Sequence, residues 1–105
     1  MGKITIKDNG KEYTLEFNRY SIVEMEKRGF DITKAEARPL ATLTEITRGA
    51  FIMHHSDMSV EEVDLIIDKI DDKLGLINAL ASMYKDAIES VLNGSKKGNA
   101  TWAKA

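Results

Sequence analysis

The sequence predicts an α+β fold, an N-terminal β-hairpin followed by about four α-helices and a flexible C-terminal tail. Three observations carry this. Asn9-Gly10 separates two stretches in which apolar and polar residues alternate, the strongest short-range signal for a hairpin. From Ser21 onward the apolar residues recur every three or four positions instead of every second one. Capping residues, glycines and the single proline bracket those later stretches. The order ββαααα segregates strands from helices, and one domain spans residues 3–93.

The hairpin comes first. A two-residue type I′ turn needs φ > 0 at both central positions, which Asn-Gly supplies. That turn pairs Asp8 with Lys11, Lys7 with Glu12, Ile6 with Tyr13, Thr5 with Thr14, Ile4 with Leu15 and Lys3 with Glu16. One face then carries Ile4, Ile6, Tyr13 and Leu15, with Phe17 continuing it; the other sets Thr5 against Thr14 between two opposite-charge pairs. A slip of one residue would turn the apolar set to water. Two strands are marginal alone, so helices or another subunit must cover the apolar face.

In SIVEMEKRGF, Ser21 and Glu24 have capping-box spacing and Gly29 suits the left-handed C′ position. The first helix is expected over Ile22 to Arg28, with Asn18 as an earlier alternative start, and Phe30 falls where a Schellman motif packs back on Met25. Residues 31–38 form a connector. Pro39 opens a second helix running to about His54, with Leu40, Leu43, Ile46, Ala50 and Met53 on its buried face. Gly49 inside that helix points to a close helix contact. Ser59 and Glu62 form a second capping box, Met58 and Val63 a hydrophobic staple, and Val63, Ile66, Ile67 and Ile70 an apolar stripe. Asp71-Asp72 and Gly75 mark a tight joint. The fourth helix, from about Leu74 to Leu92, has an apolar arc wide enough for a central helix or one shared with a partner.

Composition removes several function classes. The 105 residues contain no Cys, which excludes disulfide scaffolds, thiol catalysis and Cys-ligated zinc. No apolar run approaches the ~20 residues of a membrane span, and MGKITIKDNG lacks a signal-peptide core. The net charge of -2 averages two unlike parts: residues 1–93 carry all 17 acids against 12 bases, a net of -5, while Gly94–Ala105 is +3. A body of that charge makes a regulator that binds nucleic acid a poor reading.

Few residues suggest chemistry. His54-His55 with Asp57 invites a metal reading, but adjacent helical residues point ~100° apart and a zinc site needs three or four convergent ligands. Asp68, Asp71, Asp72 and Gly75 lack the ligand order of a calcium loop. Two adjacent histidines, no nucleophile elbow and no phosphate loop leave nothing that reads as an active site, and no cofactor motif is found. The expectation is a non-enzymatic protein. Two partner-binding candidates stand out. Glu61, Asp64, Asp68 and Asp71 recur along one side of the third helix, a solvated face or an acidic stripe that docks a basic segment. On the second reading, replacing Asp64 and Asp68 by Asn weakens binding and leaves stability equal or better. Trp102 in the basic tail is either an incidental aromatic or an anchor.

ITIKDNGKEYTLEFNRYSIVEMEKRGFDIT, the helix RGAFIMHH and the acidic third helix resemble a family of small proteins from tail-gene modules of phages and prophages of Gram-positive bacteria. These are similar in size and layout to the tail assembly chaperones of long-tailed phages. The resemblance covers about residues 3–92 and none of its stretches is a catalytic motif. It implies a protein of the bacterial host's cytoplasm that binds the helical tape measure protein until tail-tube subunits polymerise around it. It also implies self-association, and a longer form made by frameshifting, for which Lys96-Lys97 is a candidate position. A virion structural or head–tail joining protein is the alternative.

Overall fold

The computed structural model describes residues 2–93 and 100–104. It contains β1 (Ile4–Asp8), β2 (Lys11–Leu15), α1 (Arg19–Lys27), a 3₁₀ turn (Ile32–Lys34), α2 (Pro39–Phe51), α3 (Val60–Asp68) and α4 (Lys73–Asn93). The α+β architecture expected from the sequence is the one observed. Lys96-Lys97 and most of the expected flexible tail lie outside the described residues. Ala100–Lys104 are exposed and belong to no helix or strand. Among the described residues no helix is long and apolar enough to cross a membrane.

The hairpin forms in the expected register, with Ile4 opposite Leu15 and Asp8 opposite Lys11. Asn9 at φ 51° and Gly10 at φ 78° make the type I′ turn. Helix α1 starts at the earlier of its two candidate positions. Asn18 Oδ1 accepts the Ser21 N–H at 2.8 Å, and Ser21 Oγ accepts the Asn18 N–H at 2.9 Å. Ser21 is therefore the third residue of the helix, not its cap, and Glu24 pairs weakly with Lys27 at 3.6 Å. The early start adds a turn and lets Ser21 and Ile22 face the core. At the other end the Phe30 N–H donates to the Met25 carbonyl and the Gly29 N–H to the Glu26 carbonyl, both at 3.0 Å, with Gly29 at φ 91°. This is the Schellman closure.

Helix α2, not α4, lies at the hub, packing against α1, α3, α4 and β2. Leu43, Ile46, Ala50 and Phe51 are buried on it, but Leu40 is 78% exposed and Met53 has left the helix. Leu40 sits in the first turn, before α2 meets its neighbours. The helix stops at Phe51 instead of His54 because residues 52–55 turn so that both histidines reach the hairpin. Gly49 faces α1 where the two helices cross: a Cβ there would lie 2.2 Å from Met25 Sδ. The capping box of α3 forms as expected, with reciprocal Ser59–Glu62 hydrogen bonds of 3.0 and 3.1 Å. Asp72 Oδ1 accepts the Gly75 N–H at 2.9 Å and starts α4. Only the middle of α4 is deeply buried, through Leu80, Tyr84 and Ala87; Leu74, Val91 and Leu92 are exposed.

Candidate partner-binding surface

Helices α1 and α4 pack side by side, and α4 continues past the core by about a turn and a half. Among the described residues nothing packs over its last apolar side chains. A groove of about 490 Å³ results. Ile22 and Ile88 form its floor, and Val23, Val91 and Leu92 its exposed apolar margin. Arg19 and Glu26 flank it with opposite charges. An apolar trough with a polar rim is the shape that accepts the apolar face of a helix. The sequence signal was present in the apolar pair Val91-Leu92 at the end of the fourth helix, but their exposure depends on how α1 lies against α4.

The acidic stripe is divided. Glu61 stands exposed in the first turn of α3. Asp64 is held by Arg48 of α2 in a two-pronged ion pair, with Nε donating to Oδ1 at 2.9 Å and Nη2 to Oδ2. That guanidinium holds the Asp64 carboxyl below the usual carboxylate range, and the carboxylate raises Arg48 in turn. Asp68 ends α3 with an exposed side chain, and Asp71 lies beyond the helix, beside β1. Trp102 is 90% exposed in a separate segment. The structure thus does not assemble the five candidates into one surface.

The Arg48–Asp64 pair also corrects the expected effect of neutralising the stripe. Asp64→Asn removes one prong of a tertiary contact between α2 and α3. Both side chains are about one-third exposed, so solvent screening limits the expected loss to about 0.5–1 kcal/mol. Because the folded carboxyl is depressed, its contribution is present above about pH 4 and is lost as pH falls through the lowered folded value. Thermal unfolding should show wild type above Asp64→Asn at pH 7 and the difference shrinking as the solution is acidified below the ordinary carboxylate range.

The histidines hold the fold together. His55 Nε2 accepts the Thr14 N–H at 3.0 Å, and its ring meets Tyr13 edge-on with centroids 5.4 Å apart. His54 Nε2 lies 2.8 Å from Glu16 Oε1. Both tie the turn that follows α2 to the hairpin, His55 to β2 itself and His54 to the residue just after it. Among the described residues no three His, Asp or Glu side chains converge as metal ligands. Asp72, which entered the calcium reading, is the α4 cap.

A family profile matches residues 1–105. The chain belongs to the family described as Domain of unknown function (DUF5055). No curated protein and no solved structure matches the chain. Membership therefore assigns no activity, and the α1/α4 groove is a feature of this chain's own residues.

Proposed function

We propose that this chain is a non-enzymatic, tail-assembly-chaperone-like protein that works in the cytoplasm of the bacterial host. It binds amphipathic helical segments of a phage tail tape measure protein and keeps them soluble until tail-tube proteins assemble. The reading combines the sequence resemblance with one structural observation, an apolar groove between α1 and α4 that nothing among the described residues fills. Val23, Val91 and Leu92 offer apolar contact for a helix, while Arg19 and Glu26 can meet charges of either sign at its edges. The net charge of -5 on residues 1–93 also favours a protein partner over a phosphate backbone.

Co-expression with the tape measure protein of the same gene cluster tests this. A soluble complex is expected, and Val23→Asp combined with Leu92→Asp should abolish it. Both residues are exposed, so the variant's stability should stay within about 1 kcal/mol of wild type. Absence of any soluble complex with the wild-type chain would overturn the proposal. Retention of the chain in purified particles would favour the virion structural or head–tail joining alternative.

A further inference from the structure

Helix α1 carries two charges at the wrong ends. Arg19 opens its first turn, which holds no acid, and Glu26 sits in its last turn. A helix macrodipole is positive at the N-terminus and negative at the C-terminus, so a base at the start and an acid at the end each oppose it. The N-terminal cap is made by Asn18 and Ser21, without Arg19. Lys27, the base that suits the last turn, pairs with Glu24 and not with Glu26. Among the described residues neither Arg19 nor Glu26 has an ion-pair partner, and both are exposed. Neither charge serves the local structure.

The two charges share one stripe. Arg19, Ile22, Val23 and Glu26 fall at i, i+3, i+4 and i+7, a single face of α1 over two turns. All four line the α1/α4 groove, whose other wall includes Val91 and Leu92. The apolar pair lies in the middle of the stripe and the opposite charges at its ends, about 10 Å apart along the axis. A helix laid along this stripe has the same spacing on its own surface. Its apolar pair meets Ile22 and Val23, and the residues flanking that pair meet Arg19 and Glu26.

We propose that these two charges select the occupant of the groove: an amphipathic helix of the pattern acid-x-x-apolar-apolar-x-x-base, lying parallel to α1 with its acid on Arg19 and its base on Glu26. An acid toward the N-terminus and a base toward the C-terminus satisfy the occupant's own macrodipole, which sets the direction. The mismatch that α1 carries alone is relieved in the complex, where each charge gains a partner. Residues that break a local rule are expected at functional sites. This selectivity rests on the groove's being a helix-binding surface, and it adds which helix. Net charge alone predicts otherwise, since the -5 on residues 1–93 favours a wholly basic helix.

Fluorescence anisotropy of the full chain with three labelled helical peptides tests it. The peptides are identical except at the flanking pair, which is Glu then Lys, Lys then Lys, or Glu then Glu. Wild type should bind the Glu–Lys peptide about fivefold tighter than either of the others, the scale of one exposed pair turned from attraction to repulsion. Arg19→Glu should move the preference to the Lys–Lys peptide, and Glu26→Lys to the Glu–Glu peptide. Both substitutions agree with the macrodipole, so the variants should melt at or above the wild-type temperature. Tightest binding of the Lys–Lys peptide by wild type and both variants would overturn the selectivity and leave the groove reading standing. So would equal binding of all three. A lower melting temperature in both variants would show the charges serving the fold and would overturn it too. Binding of no peptide would remove the groove reading itself, and the selectivity with it.

Discussion

Tyr84→Ala is expected to lower the unfolding free energy by about 3–5 kcal/mol, a drop in melting temperature of roughly 15–20 °C for a domain of this size. Tyr84 is 2% exposed in the middle of α4. Its ring receives Phe17, at the exit of the hairpin, edge-on at 5.4 Å, and Phe30, in the Schellman closure of α1, at 5.1 Å. One side chain therefore joins three chain segments. Truncation leaves a cavity that rigid helices cannot close, and it removes two edge-to-face contacts worth about 0.5–1.5 kcal/mol each beyond burial. Differential scanning calorimetry checks this.

The same residue gives an alkaline signature. Burial, reinforced by the negative charges of Glu26 and Asp31, pushes the Tyr84 hydroxyl up to about 12. The folded state thus favours the neutral phenol. That contribution is complete below about pH 10, the ordinary tyrosine value, and fades as pH rises through 12, with a ceiling of about 3 kcal/mol. Tyr84→Phe keeps the ring and removes the titration. Its stability relative to wild type should climb between pH 10 and 12.

The second large effect is expected at Gly49. A Cβ built there lies 2.2 Å from Met25 Sδ and 2.6 Å from Met25 Cγ. Met25 is 2% exposed, and the overlap includes Cγ, close to the α1 backbone, so moving only the tip of its side chain into the small cleft beside Arg28 and Val60 would not relieve it. Gly49→Val should therefore cost about 2–3 kcal/mol through overpacking, although leaving glycine raises helix propensity. Combining Gly49→Val with Met25→Ala should give a loss smaller than the sum of the two singles, because the alanine vacates the overlapped volume. A double-mutant cycle by urea unfolding measures that coupling, and strict additivity would show that the two helices can separate at this crossing.

Much of the fold was legible because its signals act over short chain distances. Asn9-Gly10 dictates a turn whose two positive φ angles set the register of every pair in the hairpin. Gly29 and Phe30 close α1 through hydrogen bonds to residues three and five positions back, and Ser59 with Glu62 opens α3 the same way. Where two local patterns competed, sequence spacing did not choose. Ser21–Glu24 and Asn18–Ser21 both have cap spacing, and the second formed because it puts Ser21 and Ile22 into the core.

The candidate surface was far less legible. Asp64 looked like one of four equivalent acids until Arg48, 16 residues earlier, was brought against it. His54 and His55 looked like ligand candidates until Glu16 and Thr14, 38 and 41 residues away, took their ring nitrogens. Val91 and Leu92 belonged to a wide apolar arc whose middle is covered and whose end is not. In each case a side chain's neighbour comes from a distant part of the chain, and no spacing rule encodes that neighbour.

The division follows from the range of the forces. Backbone conformation, caps, turns and hairpin register depend on sterics and hydrogen bonds within a few residues, so residue order alone settles them. Which apolar faces remain open, which charges are consumed and which strand edge is closed depend on how helices cross. That is decided by the packing of Met25 over Gly49 and by the end of α2 reaching β2. The chain announces a capped α+β body without catalytic motifs. Only its packing leaves the α1/α4 groove open among the described residues, and that surface carries the functional proposal.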